Sequence, residues 1–333
     1  AALVVTVLAA GGPTPAAASA GGDDEAWNVE RLAALDVPIL QGLCLTSSRE
    51  AWASSDDGMS PLDVASQVAV PEFDGRIITV PFSFKEFDDN GLPYYAPDAE
   101  RCARMAGIAV AHARLRYLEV PDTRLGLLLS AYPTKHARIG NAVGLDTPRS
   151  LIHLLRALAA AGYDLGDAPI PGLGATPADD DPDALMHTLI DAGGQDADWL
   201  TEETLAANPI RVAAADYTAW FDRLPDGLRS AVVEHWGPPP GELFVDRSAN
   251  RDGDIVIAAL TFGNVVLLVQ PPRGFGENPV AIYHDPDLPP SHHYLASYRW
   301  LASRTDRDGW GFGADALVHI GKHGNLEWLP GKM

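Results

Sequence analysis

The chain is punctuated by short apolar runs, and their spacing constrains the fold more than any other feature. Ile39–Leu45, residues 76–80, Leu125–Leu129, Val265–Val269 and Ala316–Ile320 each have the length of a β-strand. None approaches the roughly 18 apolar residues needed to span a bilayer. Between them lie segments with helical periodicity. Residues 99–118 (AERCARMAGIAVAHARLRYL) are rich in helix formers, and their apolar positions recur three and four apart. Strands that alternate with helices predict an α/β architecture, with mixed or mostly parallel sheets and flanking helices. Apolar residues make up 47% of the 333 positions, enough for a full core, which excludes a disordered chain.

Other segments fit the same frame. Residues 3–8 read as a buried strand entering a Gly-rich loop. The rival reading, a signal-peptide core followed by AAASA, lacks its basic leader. Thr147 can cap a helix over 148–161, with Pro148 in its first turn and Gly162 as its stop. Residues 164–183 form a Pro-, Gly- and Asp-rich loop, and 184–235 read as mostly helical. Residues 255–260 and Val265–Val269 predict a hairpin around Gly263-Asn264. A helix is expected over 292–303, and Ala316–Ile320 reads as a buried strand before a Gly-rich loop. The length predicts two domains. Residues 1–130 form one α/β domain. Residues 131–333 form a second, with a helical insertion over 150–235 and a motif-rich region over 263–333. The chain opens on Ala1 and stops at Met333, just past its densest motif, as an internal fragment of a larger protein would.

Charge and cysteine content exclude several classes. Lys and Arg number 24 against 45 Asp and Glu, a net charge of −21. Such a surface argues against nucleic acid and against an anionic membrane as partners. Cys44 and Cys102 are too few for a disulfide framework or a four-thiolate zinc site, and read as reduced thiols of a cytoplasmic protein. No Walker A pattern is present. The Gly-Lys pairs at 321–322 and 331–332 lack the upstream Gly and the following Ser or Thr, so a nucleotide-driven step belongs to another chain. The turn at 251–254 (RDGD) lacks the rest of a calcium loop.

Five of the ten histidines fall in the last fifty residues: His284, His292, His293, His319 and His323. Histidine carries protons near neutral pH and binds metals. The densest segment, VHIGKHGNLEWLPGK (318–332), follows a strand, so its polar residues emerge at a strand's carboxyl end, where parallel sheets place ligands. His319, His323 and Glu327 are spaced four apart. Gly321 and Gly324 disfavour a continuous helix by about 1 kcal/mol each, so a loop leading into a short helix is expected. HExxH zinc-hydrolase spacing does not fit, because Ile320 stands where Glu is required. An isolated HxxxH pair is commonly structural; the glycines and Glu327 beside it favour function. A second segment, YHDPDLPPSHHYLA (283–296), crowds His284, Asp285, Asp287 and His292 into a Pro-stiffened stretch, which reads equally as a turn with solvated acids and a helix cap. In RIGNAVGLDTP (138–148), Asn141 and the glycines predict a tight loop before a helix N-terminus that attracts anions. Arg273, in QPPRGF (270–275), can grip a carboxylate bidentately. For Arg138 and Arg273 an internal salt bridge stands as the equal alternative.

At these residues the sequence resembles a known family. HIGKHGNLEWLPGK looks like the signature of the cobaltochelatase large subunit (CobN), whose family includes the H subunit of magnesium chelatase. VAVPEFDGRIITVPFSFKE (68–86), RIGNAVGLDTP, GNVVLLVQPPRGF (263–275) and YHDPDLPPSHHYLASYRWL (283–301) look like further family blocks in family order. The likeness covers nearly the whole chain, and the wording around Lys322 and Trp328 is closer to the cobalt branch. It departs at Ser291, where proline is usual, and at His293, where glycine is common.

The resemblance implies an enzyme, a ligase that forms nitrogen–metal bonds in cobalamin biosynthesis. It implies insertion of Co2+, as substrate, into a tetrapyrrole, the corrin precursor hydrogenobyrinic acid a,c-diamide. AAA+ ATPase subunits would be the partners, using ATP and Mg2+ that this chain does not bind. Ring N–H must be deprotonated as the metal enters, and imidazole or carboxylate can both accept protons and hold Co2+. On that reading His319, His323 and Glu327 deliver metal and accept protons. Arg138 and Arg273 hold peripheral carboxylates, His284 and His292 form the opposing wall, and Asn141, Asp146, Asp285 and Lys322 complete the substrate site. The alternatives are the H subunit of a magnesium chelatase acting on protoporphyrin IX and a non-catalytic tetrapyrrole-binding fragment.

Overall fold

A computed structural model describes residues 1–6, 33–131, 139–192, 201, 205, 208, 210–274, 285–304 and 310–332. The chain divides into two compact units, residues 1–118 with 331–333, and residues 119–330. This division falls ahead of the boundary expected at 130. Leu125–Leu129 belongs with the second unit because both of its ladder partners lie there.

The first unit is built on a four-stranded sheet in the order β1-β2-β3-β4, with β1 Leu3–Val5, β2 Ile39–Leu45, β3 Ile77–Phe87 and β4 Pro93–Pro97. β1, β2 and β3 are parallel, and β4 returns antiparallel. Between β2 and β3 lie the short helices α1 (Arg49–Ser54) and α2 (Pro61–Val64), the latter capped by Ser60, whose hydroxyl accepts from the Asp63 amide. The Asp63 carboxylate is fully buried and accepts from Thr46 and Ser60, so helix and strand are locked by satisfied polar groups. Helix α3 (Ala99–Leu115) starts at Asp98, which caps the Arg101 amide. The Arg49 guanidinium, 2.7 Å away, holds the Asp98 carboxyl below the usual range. Cys44 and Cys102 are free thiols, and burial pushes the Cys44 thiol up.

The second unit carries a sheet in the order β11-β5-β10-β9, with β5 Leu125–Leu129, β9 Ala259–Phe262, β10 Val265–Val269 and β11 Ala316–Ile320. β11, β5 and β10 are parallel, and β9 is antiparallel to β10. Every residue of β5 and β10 is buried, as expected of strands covered on both faces. One face packs on α4 (Thr147–Ala160) and α5 (Pro182–Asp191) through Leu151, Leu155, Leu185 and Leu189. The other, carrying Leu128, Val266 and Leu268, packs against Tyr217 and Phe221 of α6 (Ala214–Phe221), Val232 of α7 (Asp226–Trp236), and Ala296 and Leu301 of α8 (His292–Ala302). A small antiparallel sheet, β6-β8-β7, joins β6 Arg211–Ala213, β7 Val245–Asp246 and β8 Asp254–Val256 on that side.

Several expectations shift by a register or a role. Asp146 rather than Thr147 caps α4, accepting from the Arg149 amide, while the Thr147 hydroxyl donates to the Gly140 carbonyl. The stretch expected as one strand over 255–260 breaks, with β8 in the small sheet and β9 in the large one. β11 is not buried. It is the outer strand of the described sheet, and Leu317 and Val318 are 43% and 40% exposed. Of residues 3–8, β1 accounts for Leu3–Val5; residues 7 and 8 lie outside the described residues. No described helix is long and apolar enough to cross a membrane.

Candidate functional site

Three parallel strands end in step. Leu129 of β5 is level with Val269 of β10 and with Ile320 of β11. The segments that follow therefore emerge side by side: Ser130 and Ala131 from β5, Gln270 and Pro271 from β10, and the loop 321–325 from β11. This is the carboxyl edge where open α/β sheets gather ligand contacts. A small cleft forms there, lined by Ser130, Ala131, Asn141, Gln270, Lys322, His323, Gly324, Asn325 and Trp328.

The glycines of the loop are needed where they stand. Gly321 has φ +130° and passes so close to the Ser130 hydroxyl that a side chain has no room. A Cβ on Gly324 would stand 2.5 Å from Nδ1 of His319. The loop thus folds back over the histidine of the strand it leaves.

His319 is one residue from the end of β11, opposite Leu128. Its Nε2 lies 3.3 Å from the Tyr298 hydroxyl, which accepts from Gln270 Nε2 at 2.6 Å. A polar chain therefore runs Gln270, Tyr298, His319. His323 is exposed, and its Nδ1 is 2.7 Å from the Gly324 carbonyl. A carbonyl only accepts, so Nδ1 carries a proton. The ring meets Trp328 edge-on, with centroids 4.8 Å apart. Asn325, only 4% exposed, fastens the loop: its Nδ2 donates to the Pro271 carbonyl at 3.2 Å and its Oδ1 accepts from the Tyr294 hydroxyl at 2.7 Å.

The remaining residues singled out in the sequence scatter. Asn141 and Lys322 line the cleft, and the Lys322 amide donates to the Ser130 hydroxyl at 3.3 Å. Glu327 has its backbone in the turn Leu326–Trp328, the short helical piece expected after the loop, and its side chain lies outside the described residues. Arg138 and His284 also lie outside them. Asp146 is spent as the cap of α4. Arg273 is fully buried and donates to the backbone carbonyls of Leu288 and Asp285, fastening the 285–288 turn. Asp285 is exposed and accepts from the Asp287 amide. His292 is 2% exposed, with Nδ1 2.8 Å from the Tyr217 hydroxyl and Nε2 2.9 Å from the Gly237 carbonyl; it does not face the cleft. Burial lowers its pKa. Among the described residues, no three His, Cys, Asp or Glu side chains converge as metal ligands.

Sequence reading passed over Ser130, Gln270, Tyr294, Tyr298 and Asn325. A signal existed for most of them. Ser130 and Gln270 are the first polar residues after wholly apolar strands. Tyr294 and Tyr298 are four apart, hence on one face of α8.

The chain is an α/β protein with a His- and Gly-rich loop at the carboxyl edge of its second sheet, and comparison with known proteins identifies its family. The family model described as CobN/Magnesium Chelatase matches residues 2–333, and the chain belongs to that family. The aerobic cobaltochelatase subunit CobN of Pseudomonas aeruginosa is 40% identical over 303 residues, which is 89% of this chain and 22% of that protein. The H subunit of the Rhodobacter capsulatus magnesium chelatase is 29% identical over 91% of this chain and 24% of its own length. Among solved structures, the catalytic subunit of cobaltochelatase from Mycobacterium tuberculosis superposes with a TM-score of 0.83 at 65% identity, covering 99% of this chain and 26% of that one. The chain thus spans about a quarter of the length of the relatives it matches.

Proposed function

We propose that this chain contributes the metal- and tetrapyrrole-handling cleft of a cobaltochelatase large subunit. The reaction is ATP-dependent insertion of Co2+ into hydrogenobyrinic acid a,c-diamide in the cytoplasm, a ligation that forms nitrogen–metal bonds. AAA+ ATPase partners supply the nucleotide chemistry. One observation carries the reading: the register of β5, β10 and β11 brings the segment from His319 to His323 beside Ser130 and Gln270 at one edge of the sheet. The higher identity to a cobaltochelatase subunit than to the magnesium-chelatase relative supports cobalt over magnesium.

The residues divide the work by their chemistry. A corrin binds metal as a monoanion, so its ring N–H proton leaves as the metal enters and the cleft needs a proton acceptor beside the ring. His323, Glu327 and His319, which is tied through Tyr298 to Gln270, are the candidates. Imidazole and carboxylate hold Co2+ loosely enough to release it. Lys322 and Asn141, which line the cleft, meet the peripheral groups of the ring.

The test uses the full-length subunit with its ATPase partners, following the macrocycle's absorbance as metal is inserted. His323→Ala and Glu327→Ala are expected to abolish insertion while leaving the circular dichroism spectrum unchanged. Full activity in both variants overturns the site. Insertion of Mg2+ into protoporphyrin IX, with no turnover of the corrin precursor, transfers the chain to the magnesium branch.

A further inference from the structure

The floor of the cleft carries no charge. Ser130, Ala131, Gln270 and Asn325 line it and are each no more than 6% exposed. The lining groups that can hold positive charge, Lys322 and His323, are exposed at the rim. The free volume is about 20 Å3, room for one small group and far too little for a macrocycle. What enters the cleft is therefore a short arm of a larger molecule.

Three side-chain amides line this cleft, and they differ in what they have left to offer. Asn325 spends both ends, on the Pro271 carbonyl and the Tyr294 hydroxyl. Gln270 spends one. Its Nε2 donates to Tyr298 at 2.6 Å, while Oε1 makes no hydrogen bond among the described residues. That oxygen is not sealed from solvent, although the residue is only 2% exposed, so its open side is the cleft that Gln270 lines. Asn141 is exposed, and its side-chain amide makes no hydrogen bond among the described residues. The wall thus holds one acceptor and one donor to spare, both uncharged.

We propose that Gln270 and Asn141 are specificity-determining residues that read a primary carboxamide on the edge of the macrocycle. Gln270 Oε1 accepts an N–H of that amide, and Asn141 Nδ2 donates to its carbonyl. The inference rests on the function proposed above and assigns the residues that tell the a,c-diamide from the unamidated acid. A carboxamide presents a donor and an acceptor and meets both partners. A carboxylate only accepts, so it sets a negative charge against Oε1 on a floor with no buried cation to offset it. Carboxylates elsewhere on the ring meet Lys322 at the rim.

Titration of the full-length subunit with hydrogenobyrinic acid a,c-diamide and with hydrogenobyrinic acid, followed by fluorescence, tests this. The wild-type subunit is expected to bind the diamide tighter by about tenfold or more. Asn141→Ala, at an exposed position, leaves the fold intact and should weaken diamide binding about tenfold while changing acid binding less than about twofold. Gln270→Met should act in the same direction. It also strips Tyr298 of a donor, so Tyr298→Phe is the control: Oε1 stays, and the preference for the diamide should stay with it. Asn141→Lys supplies a cation and should move the preference toward the acid. Equal affinity for the two rings in the wild type, or an unchanged ratio in both Asn141→Ala and Gln270→Met, overturns the inference and leaves the proposed function standing. Loss of the preference in Tyr298→Phe overturns the role given to Gln270 Oε1. A wild-type subunit that binds neither ring overturns the proposed function and the inference together.

Discussion

The Tyr294 hydroxyl donates to Asn325 Oδ1 across 2.7 Å, joining the first turn of α8 to the loop that carries His323. Both side chains are buried, so neither partner can turn to water if the other is removed. Tyr294→Phe is expected to destabilise the chain by about 1–3 kcal/mol, and Asn325→Leu by about as much or more, since it also strands the Pro271 carbonyl. Urea denaturation of the two single variants and the double variant gives the coupling. Additive effects would show that the bond does not hold the loop.

Gly324→Ala places a methyl group against Nδ1 of His319. The imidazole has to move, and with it the contact to Tyr298. Metal insertion by the full-length subunit should fall about 10- to 100-fold with little change in melting temperature. Wild-type rates in this variant would mean that His319 does not act from the position described.

Tyr298→Phe removes only the oxygen between Gln270 and His319. The ring and its packing on Tyr294 remain. The expected loss in kcat is about tenfold, with the melting temperature little changed. A wild-type rate in this variant would mean that the Tyr298 hydroxyl does not position His319.

Stability should fall on the acid side through the neutral histidines. Burial holds the pKa of His293 at about 4, against 6.5 when unfolded, and lowers that of His292 in the same direction. Between those two values the unfolded chain takes up a proton that the native chain refuses. The stabilisation is therefore complete above pH ~6.5 and is lost as the pH drops toward ~4, by about 3 kcal/mol from His293. Denaturant midpoints recorded across that window measure it, and a flat profile would contradict the burial of these rings.

The central strands were legible because burial on both faces leaves an unbroken apolar run. Leu125–Leu129 and Val265–Val269 are bounded in the structure as in the sequence. The run over 255–260 misled for the same reason. Apolarity continues from Val256 to Ala259 while the chain passes from one sheet to another, and periodicity carries no mark of that change. The three residues of β6 were hidden inside a stretch of helix formers. At the site, His323 and Lys322 were legible from their place after a strand. Gln270 and Tyr298 reach His319 only through long-range register, which local spacing does not encode. His292 and Arg273 show the converse. Their residue types announce chemistry, but packing gives them backbone carbonyls to hold.

β11 is tied to the described sheet by one row of five paired residues, all with β5. Detaching it would leave the β5–β10 ladder whole. As an outer strand of the described sheet, the strand that presents His319 is expected to exchange its amide hydrogens faster than β5 and β10 do.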